Sequence, residues 1–275
     1  VLEAERHRVI LRLLEQRSIV GISDFVESLS ISDATVRRDI AALAEVGKLR
    51  RVRGGAEAIN PRLEAHLVGM PFAMSEEVAV AQKRAIAKAA SSLIDDNDSI
   101  IIAGGTTTCA LVEFLAVRQL DILTNSLPIV TKLVATSRNR VSMPGGTVYR
   151  EQEIILSPFE HDATANFWAR KAFVGCYGIN RHGVMEADPL IVQAEVRLLK
   201  RTEQVIVMAD SRKLNKHSSI VVLSLENISA FITDEGASES DLEPLRRAGV
   251  NVIVARTDAA DTGGVPSTGF SPSTQ

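Results

Sequence analysis

The stretch from Ser32 to Gly55, SDATVRRDIAALAEVGKLRRVRGG, constrains the chain more than any other. Val36, Ile40 and Leu43 recur at i, i+4 and i+7, the spacing of one helical face. Ser32 is a good N-cap, Asp33 puts a negative charge in the first turn, and Gly47 is a natural stop. At about 100° of rotation per residue, Arg38 points away from the apolar stripe. Arg37 and Thr35 lie on its flanks, and Ala34, Ala41 and Ala42 keep the outer face low. A helix with one buried stripe, small residues outside and a projecting arginine fits a DNA major groove. Lys48-Leu49-Arg50-Arg51-Val52-Arg53-Gly54-Gly55 follows, with basic residues around two apolar ones and glycines at the end. It suits a short hairpin wing that grips phosphate. An arginine pair on a helix is more often a solvated face, so the neighbouring sequence decides. Upstream, residues 22–29 carry Ile22, Phe25, Val26 and Leu29 at helical spacing, and Ser30-Ile31 leads directly into Ser32. Helix, tight connection and capped helix with arginine outside make a helix-turn-helix.

Charge supports the same reading. Arg37, Arg38, Lys48, Arg50, Arg51 and Arg53 stand against Asp39 and Glu45, in a chain of net charge −3. The positive charge is therefore local, as in a protein that docks on double-stranded DNA by one surface. Aromatic residues are only 4% of the chain, too few for stacking on unpaired bases to be the binding mode. The expected roles are base-edge contact for Arg38 and phosphate contact for Arg37, Thr35, Arg51 and Arg53. Ser32, Lys48 and Arg50 complete the expected interface.

The 275 residues suffice for two domains. Glu3 to Gln16 reads as a helix with Val9, Ile10, Leu13 and Leu14 inward. Ser18 to Gly21 reads as an extended piece that pairs with the wing, giving a winged helix over residues 1–57. Residues 58–75, with Pro61 and Pro71, read as a linker. Glu76 to Leu93 reads as one long helix opening a second domain over 76–256. There, short apolar runs alternate with helical patterns. Expected strands are 99–103, 122–124, 141–143, 172–175, 204–209, 220–223, 230–233 and 250–254. Expected helices are 107–116, 127–137, 157–169, 189–201 and 240–248. That alternation predicts an α/β fold with a mostly parallel sheet covered on both faces. Residues 257–275, rich in Gly, Ser, Thr, Pro and Asp, read as a disordered tail.

Cys109 and Cys176, both in apolar surroundings, give neither a disulfide framework nor metal spacing, so no metal and no cofactor is expected. A reducing cytoplasm is the default. No run of about 18 apolar residues is present, and the charged N-terminus is not a signal peptide, so no membrane partner is expected.

Several loops follow expected strands, where ligands sit in open α/β sheets. Gly104-Gly105-Thr106-Thr107-Thr108 joins a strand to a helix. Its glycines admit close approach, and its helix N-terminus and threonine hydroxyls suit a phosphate. It lacks the P-loop ending and is not GxGxxG, so a small phosphate ester fits better than a nucleotide. A tight turn with a threonine cap would explain it equally well. Asn125-Ser126 and Pro144-Gly145-Gly146 are the second and third loops, with Gly145 and Gly146 read as serving backbone shape. Asp210-Ser211-Arg212-Lys213 brings charge to the same edge.

The chain resembles the DeoR family of bacterial transcriptional regulators, through ISDFVESLSISDATVRRDIAALAEVGKLRRVRGGAEAI and then GGTTT, TNS, PGG, AFVG and ADSRK. The match covers about residues 3 to 255. RGGAEAI, IAKAASSLI and IILSP look like the L-ascorbate utilisation repressors within that family. The resemblance implies a sensor related to ribose-5-phosphate isomerase. Gly105 to Thr108 match its phosphate loop, Lys213 matches the lysine of its DxSK segment, and Glu195 falls where the isomerases keep a catalytic glutamate. Cys176-Tyr177-Gly178 replaces the family's usual Asp-Gly. Gly183-Val184-Met185-Glu186-Ala187 stands where the isomerases have a catalytic lysine. A sugar isomerase needs a base and a polarising group together. The expectation is therefore a repressor, not an enzyme, acting on operator DNA as a dimer or tetramer and controlled by a phosphorylated sugar. The alternative is an isomerase-like enzyme fused to a DNA-binding module.

Overall fold

The computed structural model describes residues 3–16, 19–29, 31–58, 71–159 and 161–257. The chain divides into two compact units, 1–68 and 69–275. Ser18 and Ser30, the linker from 59 to 70 and the tail beyond 257 lie outside the described residues.

In the first unit, helices α1 (Glu3–Gln16), α2 (Ile22–Leu29) and α3 (Asp33–Glu45) pack on strands β1 (Ile19–Gly21), β2 (Leu49–Val52) and β3 (Gly55–Ala58). The strands are antiparallel in the order β1-β3-β2. The α3 stripe of Val36, Ile40 and Leu43 is buried with Ile10, Leu14, Phe25, Leu29, Leu49 and Ala56. Gly47 is left-handed, with φ 68°, and ends α3 as expected. Gly55 has a different reason to be glycine: a β-carbon there would overlap the Val20 carbonyl of the adjoining strand.

The second unit opens with helices α4 (Phe72–Glu76) and α5 (Val80–Ser91) and strand β4 (Ser99–Ile102). Helix α6 (Thr106–Ala110) runs into a 3-10 turn over Leu111–Phe114, then β5 (Asp121–Thr124), α7 (Leu127–Thr136) and β6 (Arg140–Ser142). A hairpin of β7 (Thr147–Tyr149) and β8 (Ile154–Leu156) leads to α8 (Ala163–Asn166) and β9 (Ala169–Val174). Then come β10 (Gly178–Asn180), β11 (Gly183–Glu186), α9 (Pro189–Leu199) and β12 (Thr202–Met208). A 3-10 turn (Ser211–Lys213), β13 (Ile220–Leu223), a second turn (Leu225–Asn227), β14 (Ala230–Asp234), α10 (Glu239–Arg247) and β15 (Asn251–Ala255) complete it.

Among the described residues, seven parallel strands form one sheet in the order β15-β14-β12-β9-β4-β5-β6. Strand alternation sends Ile100, Ile102, Ile206 and Met208 into one core and Ile101, Val205 and Val207 into the other. Burial on both faces is why these strands read as unbroken apolar runs. β10, β11 and β13 form a separate antiparallel sheet. No helix among the described residues is long and apolar enough to cross a membrane.

The sequence reading fails in several places. The helix expected over 76–93 is interrupted: α4 ends at Glu76, Ala79 is left-handed with φ 53°, and α5 starts at Val80. Phe72 is buried in the sheet core, and its N–H donates to the Glu151 carbonyl at 2.8 Å. Phe72 to Ser75, assigned to the linker, thus belong to the second unit. The helix expected over 157–169 shrinks to Ala163–Asn166, because Ala169 starts β9 and pairs with Thr202 of β12. The short strands of the β7–β8 hairpin and of β10 and β11 were not expected.

Candidate DNA interface and effector site

Ser32 caps α3, its Oγ accepting the Thr35 N–H at 3.3 Å and lying 2.9 Å from the Thr35 hydroxyl. Two of the expected phosphate-gripping cations are already engaged. Arg37 forms a forked pair with Asp33 one turn back, its Nη2 at 3.1 Å from Oδ2. That pairing holds the Asp33 carboxyl below its ordinary value and the Arg37 guanidinium above its own. Arg50 reaches Glu57 across the β2–β3 pair at 2.5 and 2.8 Å. Among the described residues, Arg38, Lys48, Arg51 and Arg53 are exposed and carry no ion pair or side-chain hydrogen bond. These four are the cations the fold leaves available to a polyanion.

Asp39 is not on this face. It is 3% exposed and receives Arg6 Nε at 2.6 Å and Nη2 at 2.9 Å, with His7 Nε2 at 3.5 Å. Its hydrogen bond with Arg6 holds the carboxyl below its usual range. The pair ties α1 to α3 and removes a negative charge from the surface that carries Arg38.

In the second unit, the loops at the strand ends are joined by two routes. Gly104 donates its N–H to Asn125 Oδ1 at 2.9 Å, and Asn125 accepts the Ile155 N–H at 2.8 Å, so the first two loops and β8 lock together. A β-carbon on Gly104 would overlap Ile154 Cγ2, and one on Gly146 would overlap the Leu156 carbonyl. These glycines let the β7–β8 hairpin close on the strand ends, while Gly145 is exposed and unconfined. The second route runs through Lys83. Its ammonium donates to the Ser75 carbonyl, and the Ser75 hydroxyl lies 3.3 Å from Thr106 Oγ1. Lys83 is 5% exposed, and burial pulls its pKa down to about 8 against the attraction of Asp210.

The threonines divide. Thr106 is half-buried at the start of α6, Thr107 is buried, and Thr108 spends its hydroxyl on the Ala103 and Gly105 carbonyls at 2.8 and 2.9 Å. Thr108 therefore shapes the loop instead of presenting a donor. Ser126 is fully buried, and its Oγ has no partner among the described residues. Asp210 caps the 3-10 turn and is forked by Arg212 at 2.7 and 3.1 Å. Burial opposes its ionisation, but those bonds win and hold its carboxyl low. Lys213 Nζ lies 5.8 Å from the Tyr177 ring centroid. Cys176 sits among Lys213, Glu186, Glu195 and Asp210, and burial pushes its thiol up to about 12. It also packs against an apolar core, as its neighbours in sequence suggested. Cys109 is buried in the other apolar core, as expected, with Lys132 Nζ 3.4 Å from its Sγ. Glu195, on α9, is buried and raised well above the ordinary carboxyl value, first by desolvation and then by Glu186.

A small, partly open cavity of ≈ 40 Å³ adjoins these loops, with Asn125, Pro144, Asp162, Gln193 and Arg197 in its wall. Gly104 to Thr108, Glu195, Asp210 and Lys213 do not line it. Of the expected effector residues, Asn125 is the one in its wall. Lys83 and Asp39 are the functional-looking residues that reading the sequence missed. Both are charges at stripe positions of amphipathic helices, three or four residues from buried apolar ones.

Comparison with known proteins bears on both units. The family model described as a DeoR-like helix-turn-helix domain matches residues 6–62, and that described as the DeoR C terminal sensor domain matches 78–235. The HTH-type transcriptional regulator UlaR of Shigella dysenteriae serotype 1 (strain Sd197) is 32% identical over 253 residues, 91% of this chain and 98% of that protein. UlaR of Escherichia coli O1:K1 / APEC is equally similar, at 32% over the same shares. Among solved structures, ribose 5-phosphate isomerase A from Methanocaldococcus jannaschii aligns with a TM-score of 0.36 and 13% identity. That alignment covers 48% of this chain and 52% of the isomerase, about half of each. With the sensor model spanning more than half of the residues, and full-length relatives that carry the same helix-turn-helix, the chain belongs to the DeoR family of helix-turn-helix transcriptional regulators.

Proposed function

We propose that this regulator represses sugar-catabolism genes by binding operator DNA through α3 and the wing, and that a phosphorylated sugar in the second unit releases it. Arg38 reads base edges, and Lys48, Arg51 and Arg53 hold phosphate. Arg37 and Arg50 trade their internal carboxylates for DNA only at a cost. One winged helix buries little surface on DNA, about 600–1,000 Å² for a small module. Paired half-sites bound by a dimer or tetramer in the cytoplasm are therefore part of the reading.

The observation that carries the effector assignment is Lys83. It is a buried ammonium that neutralises no carboxylate by direct contact, joined through Ser75 to Thr106. A phosphate at the first turn of α6 would meet unpaired backbone N–H groups, the Thr106 and Thr107 hydroxyls and Lys83, with Lys213 approaching from the Asp210 loop. Asn125, Ser126, Gly145 and Gly146 then border the sugar. The segment Gly183 to Ala187 stands where the resemblance puts a catalytic lysine, so binding without turnover is part of the reading. The ligand releases DNA only if it binds the DNA-incompetent arrangement more tightly.

The test has two steps. Operators are selected from a random duplex library with the full chain, and sugar phosphates are then titrated into the complex while anisotropy is followed. Release by a phosphorylated sugar, with the free sugar inactive and Thr107→Val desensitised, supports the reading. Release by the free sugar at equal concentration, or an unaffected Thr107→Val protein, refutes the phosphate placement.

A further inference from the structure

Helix α4 is the first element of the second unit, and the chain arrives there from the winged helix by way of residues 59–70. Its Phe72 ring is 4% exposed in the sheet core. The Phe72 N–H donates to the Glu151 carbonyl, in the turn between β7 and β8, at 2.8 Å. Glu76, at the other end of α4, receives Lys132 Nζ of α7 at 2.8 Å. Two more contacts meet at Ser75. Its carbonyl accepts the Lys83 ammonium, and its hydroxyl lies 3.3 Å from Thr106 Oγ1. Lys83 and Thr106 are the groups given to the effector phosphate above, so α4 and the phosphate draw on the same donors.

The joint behind α4 is strained. Ala79 stands between α4 and α5 with φ 53° and ψ 45°, a left-handed conformation that its β-carbon disfavours. Such a residue keeps its conformation only while the contacts around it hold it there. A phosphate dianion attracts the Lys83 ammonium more strongly than the neutral Ser75 carbonyl can. We propose that α4 is a latch. It is docked in the arrangement that binds DNA, and a phosphate that draws Lys83 and Thr106 from Ser75 undocks it and relaxes the turn at Ala79. The identity of the trigger rests on the effector reading above; the latch rests on the contacts of α4. Undocking adds residues 71–79 to the connection between the winged helix and the sheet. The effective concentration of a second wing at its half-site falls as that connection lengthens.

The turn itself supplies the test, because Ala79 is not among the residues assigned to the phosphate. In the full chain, Ala79→Gly removes the strain and tightens the latch, whereas Ala79→Val puts a β-branched residue in a left-handed turn and loosens it. Without ligand, the Val variant should bind the selected operator at least about fivefold more weakly, the low end of ordinary coupling between sites. The Gly variant should bind no more weakly than wild type. With ribose 5-phosphate, glucose 6-phosphate or inorganic phosphate as the probe, the concentration for half-release should rise about threefold in the Gly variant and fall about threefold in the Val variant. Hydrogen exchange of residues 72–79 should quicken about tenfold at saturating probe while the β4–β15 sheet is unchanged. If Ala79→Val lowers the melting temperature of the whole second unit, Glu76→Gln takes its place, since it weakens only the surface pair with Lys132. Slower or unchanged exchange of 72–79 with a probe bound, or operator affinities that the tightening and loosening variants leave equal, overturns the latch. If no probe binds, the effector reading fails, and the unliganded operator affinities of the variants still decide for or against the latch.

Discussion

Replacing Asp39 by Asn should weaken the winged helix selectively, and the size of the loss follows from the contacts. The carboxylate is almost fully buried and takes two hydrogen bonds from Arg6 at 2.6 and 2.9 Å. Hydrogen bonds to charged groups contribute about 1.5–3 kcal/mol each. The two are not additive, since an asparagine oxygen still accepts one of them. Arg6 keeps 16% side-chain exposure, so its stranded guanidinium can partly rehydrate. The net cost should be about 2 kcal/mol, below the roughly 3–5 kcal/mol of breaking a fully buried pair. Tenfold per 1.4 kcal/mol makes this about 30-fold in the local opening equilibrium.

Hydrogen exchange read by mass spectrometry resolves the effect. Peptides from residues 3–16 and 33–45 should exchange about 30-fold faster, while those from the β4–β15 sheet stay unchanged. The pH dependence has a definite sign. Arg6 lowers the folded carboxyl value, so the contribution is complete above the unfolded aspartate value of about 3.9 and is lost as pH falls through the lowered one. The wild type should lose protection of α1 and α3 in acid, and Asp39→Asn should flatten that loss. A change below threefold, or one spread evenly over the chain, would refute a local tie between α1 and α3.

Three further outcomes follow from the geometry. Arg38→Ala should cost about 1–3 kcal/mol on the selected operator and relax one base pair, whereas Arg51→Ala should weaken all duplexes alike and reduce the salt slope by about one; anisotropy over a set of operator variants and salt concentrations separates the two. Because burial sets Lys83 near 8 and a bound phosphate favours its ammonium form, affinity for a phosphorylated effector should fall as pH rises above about 8. Lys83→Met should abolish that decline in calorimetry. Gly104→Ala should destabilise the second unit by about 1–3 kcal/mol through overlap with Ile154. Adding Ile154→Ala should recover part of the loss in a thermal double-mutant cycle.

Local signals made the winged helix legible. The apolar stripe, the Ser32 cap, the left-handed Gly47 and the basic hairpin each act within a few residues, and all four appear where the residues imply. The parallel sheet was legible for a similar reason, since strands buried on both faces must be apolar throughout. What failed depends on distant partners. Residues 157–169 have helical spacing, but Ala169 is worth more as a pairing residue opposite Thr202 of β12 than as the last turn of a helix. No local pattern carries that preference. Glycine spacing likewise suggested backbone shape at Gly146, yet not that the hairpin closing over it would be β7–β8.

The site charges fall between these cases. Asp39 lies three residues from Val36 and four from Leu43; Lys83 lies three from Ile86 and four from Ala87. Both sit on the stripe that periodicity assigns to the core, where an ionised group is unfavourable unless paired. A charge at such a position therefore requires a partner from elsewhere in the fold. Asp39 finds Arg6 within its own unit, which makes it a structural tie. Lys83 finds only a backbone carbonyl by direct contact, with Asp210 and Lys213 beyond. Glu195 finds nothing but another acid. These two charges thus sit on helices α5 and α9, at positions where burial alone would disfavour them. In the proposed function, the phosphate of the effector supplies the partner that Lys83 lacks.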